Sequence, residues 1–294
     1  MYKGAKLLFL KAISPVHLGA GRAVAEAVDV VLQRDEYGIP WGAGSSIKGA
    51  IRSFKTTSNK VNKKLLNAVF GDERSEYASC ISIQDARLLL FPVRALRGLY
   101  AYVTSRHLLE YCKRYIELIK PIRDDLSSLY ETLCKITDLA EKVPEGEVLL
   151  FDESFIVKDS VILNEMIFKY RKGSNEELQL LIEVFKNILG KSKVKKIIIV
   201  SDNDLMDLIR TSLVVVNRVK LKYSTKTVER GGLWSEEYLP SDTVLVTAVL
   251  YSTPRTKNID ISLDKVWKII DPGDYLILGG NETIGKGIVE VIKL

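Results

Sequence analysis

Residues 14–53 read "SPVHLGAGRAVAEAVDVVLQRDEYGIPWGAGSSIKGAIRS". They gather three unlike features: His17, one of two histidines in the chain; glycine clusters at 19–21 and 42–44; and Asp29 inside a run of valines. The alternation from Val28 to Arg34 predicts a strand, with Asp29, Val31 and Gln33 on one face and Val28, Val30 and Leu32 on the other. From Ser46 the apolar positions Ile47, Ala50, Ile51 and Phe54 follow helical spacing. Ser45 or Ser46 is placed to cap the first free amides of that helix. The segment thus predicts a strand, a polar loop and a capped helix in succession.

Outward from it, Ala5 to Ile13 reads as a strand, and Val61 to Phe70 as a helix stopped by Gly71. Strand-like "CISIQ" and "RLLLFPV" follow. Residues 104–143 hold two helical segments parted by Pro121 and read as an inserted helical lobe. A helix over Glu176 to Leu189, a strand over Lys196 to Val200 and a short helix from Asp202 or Asn203 lead to residues 212–240. There "SLVVVNRVKLKYSTKTVERGGLW" predicts a long two-stranded ribbon with a polar tip. The chain closes with strand "TVLVTAVLYS", helix "SLDKVWKII" and a glycine-rich loop between strand-like segments. Strands mixed with helices, with the last strand returning late, favour an α+β sheet over a doubly wound parallel one, and a ferredoxin-like core carrying insertions is the expected fold.

The 294 residues, 47% of them hydrophobic, are enough to fill a substantial core. No run approaches the roughly 20 apolar residues of a membrane helix, and the N-terminus lacks a signal-peptide layout, so a cytoplasmic, membrane-free protein is expected. Lys+Arg of 43 against Asp+Glu of 37 leaves a net charge of +6, which attracts polyanions such as nucleic acid, although plain basic enzymes share it. Cys80, Cys112 and Cys134 are scattered, with no CxxC pair or Cys/His spacing for zinc, and read as small buried apolar residues.

"GAGSSIKGAIR" brings glycines, hydroxyls and a helix start together, an arrangement suited to a phosphate. Lys48 and Arg52, four apart, share the side opposite Ile47 and Ile51 and are placed to follow a nucleic-acid backbone; a solvated basic face is the alternative. Neither a GxxxxGK[ST] loop nor a dinucleotide fingerprint is present, which removes support for nucleoside triphosphate chemistry. "LGGNETIGKG", with Gly279, Gly280, Gly285, Lys286 and Gly287, lets a chain approach exposed amides beside one lysine, or is a flexible hairpin turn. His17 and His107, isolated, make no metal site by themselves. Asp29 is the odder residue, because strands disfavour aspartate.

The run "HLGAG…VDVVLQRDEYGIPWGAGSSIKGAIR" resembles the opening motif of RAMP-superfamily CRISPR proteins, in which a His-Gly-Gly segment leads to an Asp and then to a Pro-x-x-x-Gly-Ser-Ser-x-Lys-Gly-x-x-Arg helix start. "DARLLLFPVRALRGLYAYVTS", "VVVNRVKLKYSTKTVERGGLWSEEYLP" and "GGNETIGKG" are similar to the backbone nuclease subunits of type III-B (Cmr) effector complexes, and the matches span nearly all of residues 1–294. One departure is that "WGAGSS" stands where the family has "IPGSS", with Pro40 displaced.

The resemblance implies a ferredoxin-like (RRM-like) palm, a helical fingers insertion at 104–143 and a β-hairpin thumb at 212–240 that interrupts a guide–target duplex. It implies CRISPR RNA, target RNA, other Cmr-complex subunits and further copies in a helical filament as partners. It also implies cleavage of target RNA at regular intervals. For that, Asp29 would be the essential residue and the ligand of a magnesium or other divalent ion, and His17 the motif histidine. Ser45, Ser46, Lys48, Arg52, Arg218, Gly279, Gly280, Lys286 and Gly287 would be the RNA-binding set. Asp29 would act as base, as orienter of the attacking 2′-hydroxyl, or as holder of a hydrated ion. An isolated aspartate titrates at about 3.9, a poor match for a base at neutral pH. A guide-binding backbone without cleavage is the alternative function.

Overall fold

In the computed structural model, which describes residues 2–22, 28–58, 61–72, 78–256 and 259–294, the apolar segments read from the sequence close into one large sheet. Its heart is six elements in chain order: β1 (Gly4–Ala12), α1 (Gly44–Thr57), β2 (Ala86–Arg94), β3 (Val244–Tyr251), α2 (Leu263–Ile270) and β4 (Ile288–Lys293). The strand order is β4-β1-β3-β2, with each neighbouring pair antiparallel, which is the ferredoxin-like βαββαβ arrangement.

The period-2 alternation of β1 divides its side chains between two cores. Leu8, Leu10 and Ala12 pack with Ile47 and Ile51 of α1 and with Val266, Ile269 and Ile270 of α2. Ala5, Leu7 and Phe9 point the other way, into a core completed by Leu109, Cys112 and Ile116. Because helices cover both faces, all eight residues of β3 are buried, which explains its unbroken "VLVTAVLY" run. Its one internal hydroxyl, Thr247, donates to the Gln84 carbonyl at 2.6 Å.

The second core comes from an insert between β2 and the ribbon. Helices Arg106–Ile119 and Ser127–Glu141 fall on either side of Pro121. The insert then goes on beyond residue 143, adding strands Glu147–Leu150, Met166–Lys172 and Ile197–Ile199 to the far edge of the sheet. Helix Asn175–Leu189 starts with a full capping box, Ser174 with Glu177, as its sequence demands. Cys112 is fully enclosed and its thiol is pushed up to about 12 by burial, while Cys80 is pushed up to about 11, also chiefly by burial; neither is a reactive thiolate. No helix of the described residues is long and apolar enough to cross a membrane.

The ribbon consists of Val214–Leu221 paired antiparallel with Val228–Tyr238. Its root is continuous with a small second sheet that includes Val30–Leu32 and Gly19–Arg22. The root residues Tyr238 and Leu239 are buried, whereas Tyr223 at the tip is 92% exposed and Leu233 and Val219 are exposed along the arms. The outer ribbon therefore has no core beneath it.

The strand expected over Val28 to Arg34 is shorter, Val30–Leu32, and Asp29 stands at a bend just before it. The strand ends because the chain turns back at 33–41: Gln33 N–H donates to the Leu18 carbonyl, and Trp41 N–H to the Gln33 carbonyl. Residues 23–27, between the His17 and Asp29 parts of the motif, lie outside the described residues.

Palm and ribbon should respond differently to change. Ile51→Ala, at a side chain 1% exposed, is expected to cost about 2–5 kcal/mol in denaturant unfolding. Shortening the tip by Ser224 to Lys226 should cost less than about 0.5 kcal/mol. A tip deletion that unfolds the protein would show that the ribbon leans on the core.

Candidate active site

The root of the ribbon organises the site through strand alternation: Ser235 and Glu237 take one face, and Trp234, Glu236 and Tyr238 the other. On the first face Ser235 and Asp29, 206 positions apart, exchange three hydrogen bonds. Asp29 Oδ2 accepts from the Ser235 N–H at 2.8 Å and from its hydroxyl at 2.9 Å, and the Asp29 N–H donates to Ser235 Oγ at 3.0 Å. Asp29 itself is exposed. Two positions along, Glu237 accepts the Leu32 N–H at 3.1 Å and a fork from Arg34 at 2.8 and 2.7 Å. The segment that carries Asp29 is thereby clamped at two points.

His17 is buried, 8% exposed, and its Nδ1 lies 2.6 Å from the Glu237 carbonyl oxygen. A carbonyl only accepts, so Nδ1 carries the proton. Its ring stands 5.4 Å from that of Tyr238. Any side chain at Gly19 would meet the Nε2 edge of the ring, since a Cβ there would lie 2.4 Å from Nε2. His17 thus joins the first strand's exit to the ribbon root, a packed position rather than an exposed one.

On the opposite face Glu236, only 7% exposed, collects donors. Trp234 Nε1 donates at 2.7 Å, Asn281 Nδ2 at 3.0 Å, the Tyr238 hydroxyl completes the set, and Arg218 Nε stands at 3.7 Å. Burial opposes ionisation of Glu236 most strongly, but the bonds from Tyr238 and Trp234 and the Arg218 charge together outweigh it and leave its carboxyl below the ordinary value. Burial first, and the bond to Glu236 second, push the Tyr238 hydroxyl up to about 12. Lys286 lies over the Tyr238 ring, 5.4 Å from its centre. The expected RNA-binding residues Arg218 and Lys286 therefore stand at one buried hub, with Arg218 tied to its carboxylate.

The glycine-rich loop is pinned against residues 15–17. The Gly280 N–H donates to the His17 carbonyl at 3.1 Å and the Gly287 N–H to that of Pro15 at 2.9 Å. Gly279 has φ +78 and a Cβ there would stand 2.0 Å from the His17 carbonyl oxygen, so only glycine fits. Gly279 and Gly280 remain exposed on their outer side. Gly279 lines a groove of about 780 Å³ whose other wall includes Ser46, Gly49 and Ser53 of α1.

The helix start departs from expectation. The cap position is Ala43, with no side-chain cap bond, and Ser45 and Ser46 are exposed in the first turn. The Gly44 N–H is satisfied instead by the Asp85 carboxylate at 2.9 Å, because Trp41 and Gly42 pair with β2 and carry the helix start beside Asp85. This is the path taken by the "WGAGSS" variant. Lys48 and Arg52 share a side as expected, but their heads turn onto the protein. Lys48 Nζ donates to Ser79 Oγ at 2.8 Å, and Arg52 donates to the Gly71 carbonyl at 3.0 Å and to Asn67 Oδ1 at 3.1 Å, bracing the end of helix Lys63–Phe70. Burial first, then the neighbouring Arg52 charge, lower the Lys48 ammonium below the usual lysine range.

Among the described residues no group of three or more His, Cys, Asp or Glu side chains gathers to hold a metal. The donors around Asp29 Oδ2 are N–H and O–H groups that compete with a cation for the same oxygen. The described residues thus offer one carboxylate here and no closed set of protein ligands. His107 lies elsewhere, edge-on to Tyr37 and Tyr111. Sequence reasoning missed Ser235, Glu236, Glu237, Tyr238, Arg34 and Asn281. The available signal was "SEEY", two adjacent acids running directly into the buried "YLP".

A ferredoxin-like palm, an insert on its second face and a ribbon rooted beside an exposed aspartate define a thumb-bearing α+β protein. Residues 9–290 match the family model "RAMP superfamily". The chain belongs to that superfamily and, within it, to the Cmr4 family. It is 36% identical to the CRISPR system Cmr endoribonuclease Cmr4 of Pyrococcus furiosus, over 98% of this chain and 95% of that protein. A chain in the cryo-EM structure of the type III-B Cmr-beta complex bound to cognate target RNA superposes with TM-score 0.81 at 30% identity, covering 99% of this chain and 98% of that one. The crystal structure of oligomeric Cmr4 from Pyrococcus furiosus gives TM-score 0.68 at 28% identity, covering 98% and 97%.

The Glu236 hub makes a pH prediction. Its folded value lies below the ordinary 4.5, so its stabilisation is fully present above that pH and is lost as pH falls through the folded value. Denaturant unfolding between about pH 6 and pH 3 should show wild type losing more stability than Glu236→Gln. Parallel curves would mean that Glu236 gains nothing from its donors.

Proposed function

We propose that this chain is the RNA-guided endoribonuclease backbone subunit of a type III-B CRISPR (Cmr) complex, binding CRISPR RNA and cutting complementary target RNA at regular intervals. The observation that carries the reading is Asp29: an exposed residue whose carboxylate accepts two hydrogen bonds from Ser235, and whose main-chain N–H donates a third, where the solvent-exposed ribbon leaves the palm. Kinship to a named Cmr endoribonuclease and to a chain in a target-RNA-bound type III-B complex supports it.

The guide backbone runs along the groove between α1 and the glycine-rich loop, against Ser46, Gly49 and Ser53 on one side and Gly279 on the other, with Ser45 and Gly280 exposed next to these in the chain. Small residues let a phosphate approach main-chain amides, and the net charge of +6 favours a polyanion. Several copies stack along one guide as a helical filament with other Cmr subunits. Relatedness to a chain crystallised as oligomeric Cmr4 is consistent with that. Each ribbon inserts into the guide–target duplex and splays a target nucleotide.

Splaying allows the target's 2′-hydroxyl to line up with the adjacent phosphorus. Its oxygen forms a new P–O bond as its proton passes to solvent water, the bond to the 5′-oxygen breaks as that oxygen takes a proton from solvent water, and a 2′,3′-cyclic phosphate and a 5′-hydroxyl result. Asp29 accepts the hydrogen bond of the attacking hydroxyl and orients it. His17 is a positioning residue through the Glu237 carbonyl. A divalent ion would screen the phosphate charge. No step here passes through such an ion, and the ion belongs to the assay as a variable.

The test is a complex reconstituted on guide RNA, given labelled complementary RNA with magnesium or with a chelator. Asp29→Asn, nearly isosteric, should assemble and bind target while cutting falls by about 10²-fold or more. Full cleavage by Asp29→Asn would leave the chain as a guide-binding scaffold.

A further inference from the structure

We infer that Ser235 is the positioning residue for the cleavage carboxylate, and that through it the ribbon sets the orientation of Asp29. The inference rests on the reading of Asp29 given above. Asp29 sits at a bend, exposed, just before a strand of three residues. The Ser235 hydroxyl has one proton to give and gives it to Asp29 Oδ2 at 2.9 Å, and its oxygen receives the Asp29 N–H at 3.0 Å. The Ser235 N–H adds a third bond to the same Oδ2 at 2.8 Å. Main chain and carboxylate of Asp29 are thus both referred to one side chain.

That side chain belongs to Val228–Tyr238, the arm that continues to the ribbon tip. The same arm is anchored below Ser235 on both faces. Glu236 is held by Trp234, Tyr238 and Asn281, and Glu237 grips Leu32 and Arg34. Above Ser235 the arm exposes Leu233 and Val228 and bears on whatever the ribbon engages. Ser235 is therefore the point at which a force on the ribbon first reaches the reacting carboxylate. A duplex that seats the ribbon seats Asp29, and one that leaves it loose leaves the carboxylate misaligned.

Ser235→Ala keeps the main-chain bond and removes both hydroxyl bonds; Ser235→Thr keeps all three donors and acceptors and suits a strand. In the reconstituted complex, single-turnover cleavage should fall about 10- to 100-fold in Ser235→Ala, since a small misplacement of a reacting group costs on that order. Target affinity should stay within about twofold, and Ser235→Thr should recover the rate to within about threefold. Hydrogen exchange over residues 28–32 should quicken in Ser235→Ala and return to the wild-type rate in Ser235→Thr. Wild-type cleavage by Ser235→Ala overturns the inference, and so does a rate loss that Thr fails to restore, or one matched by lost target binding. Asp29→Asn is run alongside: if it cuts fully, the reading of Asp29 has failed, whereas its loss of cutting beside a fully active Ser235→Ala refutes the role of Ser235 alone.

Discussion

Two adjacent carboxylates, Glu236 and Glu237, are buried in one strand, and a buried charge is tolerated only where donors surround it. Because strand neighbours point to opposite faces, each draws donors from a different part of the chain. Glu237 recruits Leu32 and Arg34, while Glu236 recruits Trp234, Tyr238, Asn281 and Arg218. The early motif segment, the ribbon and the late glycine-rich loop meet at this strand because two negative charges there must be satisfied. His17, bonded to the carbonyl of Glu237 and accepting at its own carbonyl from Gly280, closes the circle.

The palm makes that meeting possible. Its antiparallel order brings β1 and β4 side by side, so the loop after β1 and the loop before β4 emerge next to each other. Covering the second face with the insert buries β3 completely and stiffens the platform, while the ribbon is left with an anchored root and an exposed arm. Rigidity where residues are positioned and exposure where a partner is engaged follow from one distribution of apolar side chains.

The basic side of α1 shows how charge and contact separate. Lys48 and Arg52 spend their donors on Ser79, Asn67 and Gly71, which fixes α1 against its neighbouring helix. What α1 presents to the groove is instead small Ser46, Gly49 and Ser53 beside Phe54, facing Gly279 and the exposed Tyr275 and Ile277. The two cations therefore sit on a different side of α1 from the groove, which neither of them lines.

Much of this was legible in the residues. The alternation of β1, the unbroken apolar run of β3, the Ser174/Glu177 capping box and the polar-tipped ribbon are local patterns with local physical causes, and they determine the palm, helices and thumb. The order of His17, Asp29 and the Gly-Ser-Ser helix start marked the segment that matters. Tertiary structure alone decided the partners: Ser235 for Asp29 across 206 positions, Asp85 as the cap of α1, the inward turn of Lys48 and Arg52, and the shortening of the Asp29 strand. The reason is physical. Periodicity reports which face of an element is buried, but a hydrogen bond is chosen by whichever donor the folded chain brings within about 3 Å, and no local pattern encodes that distance.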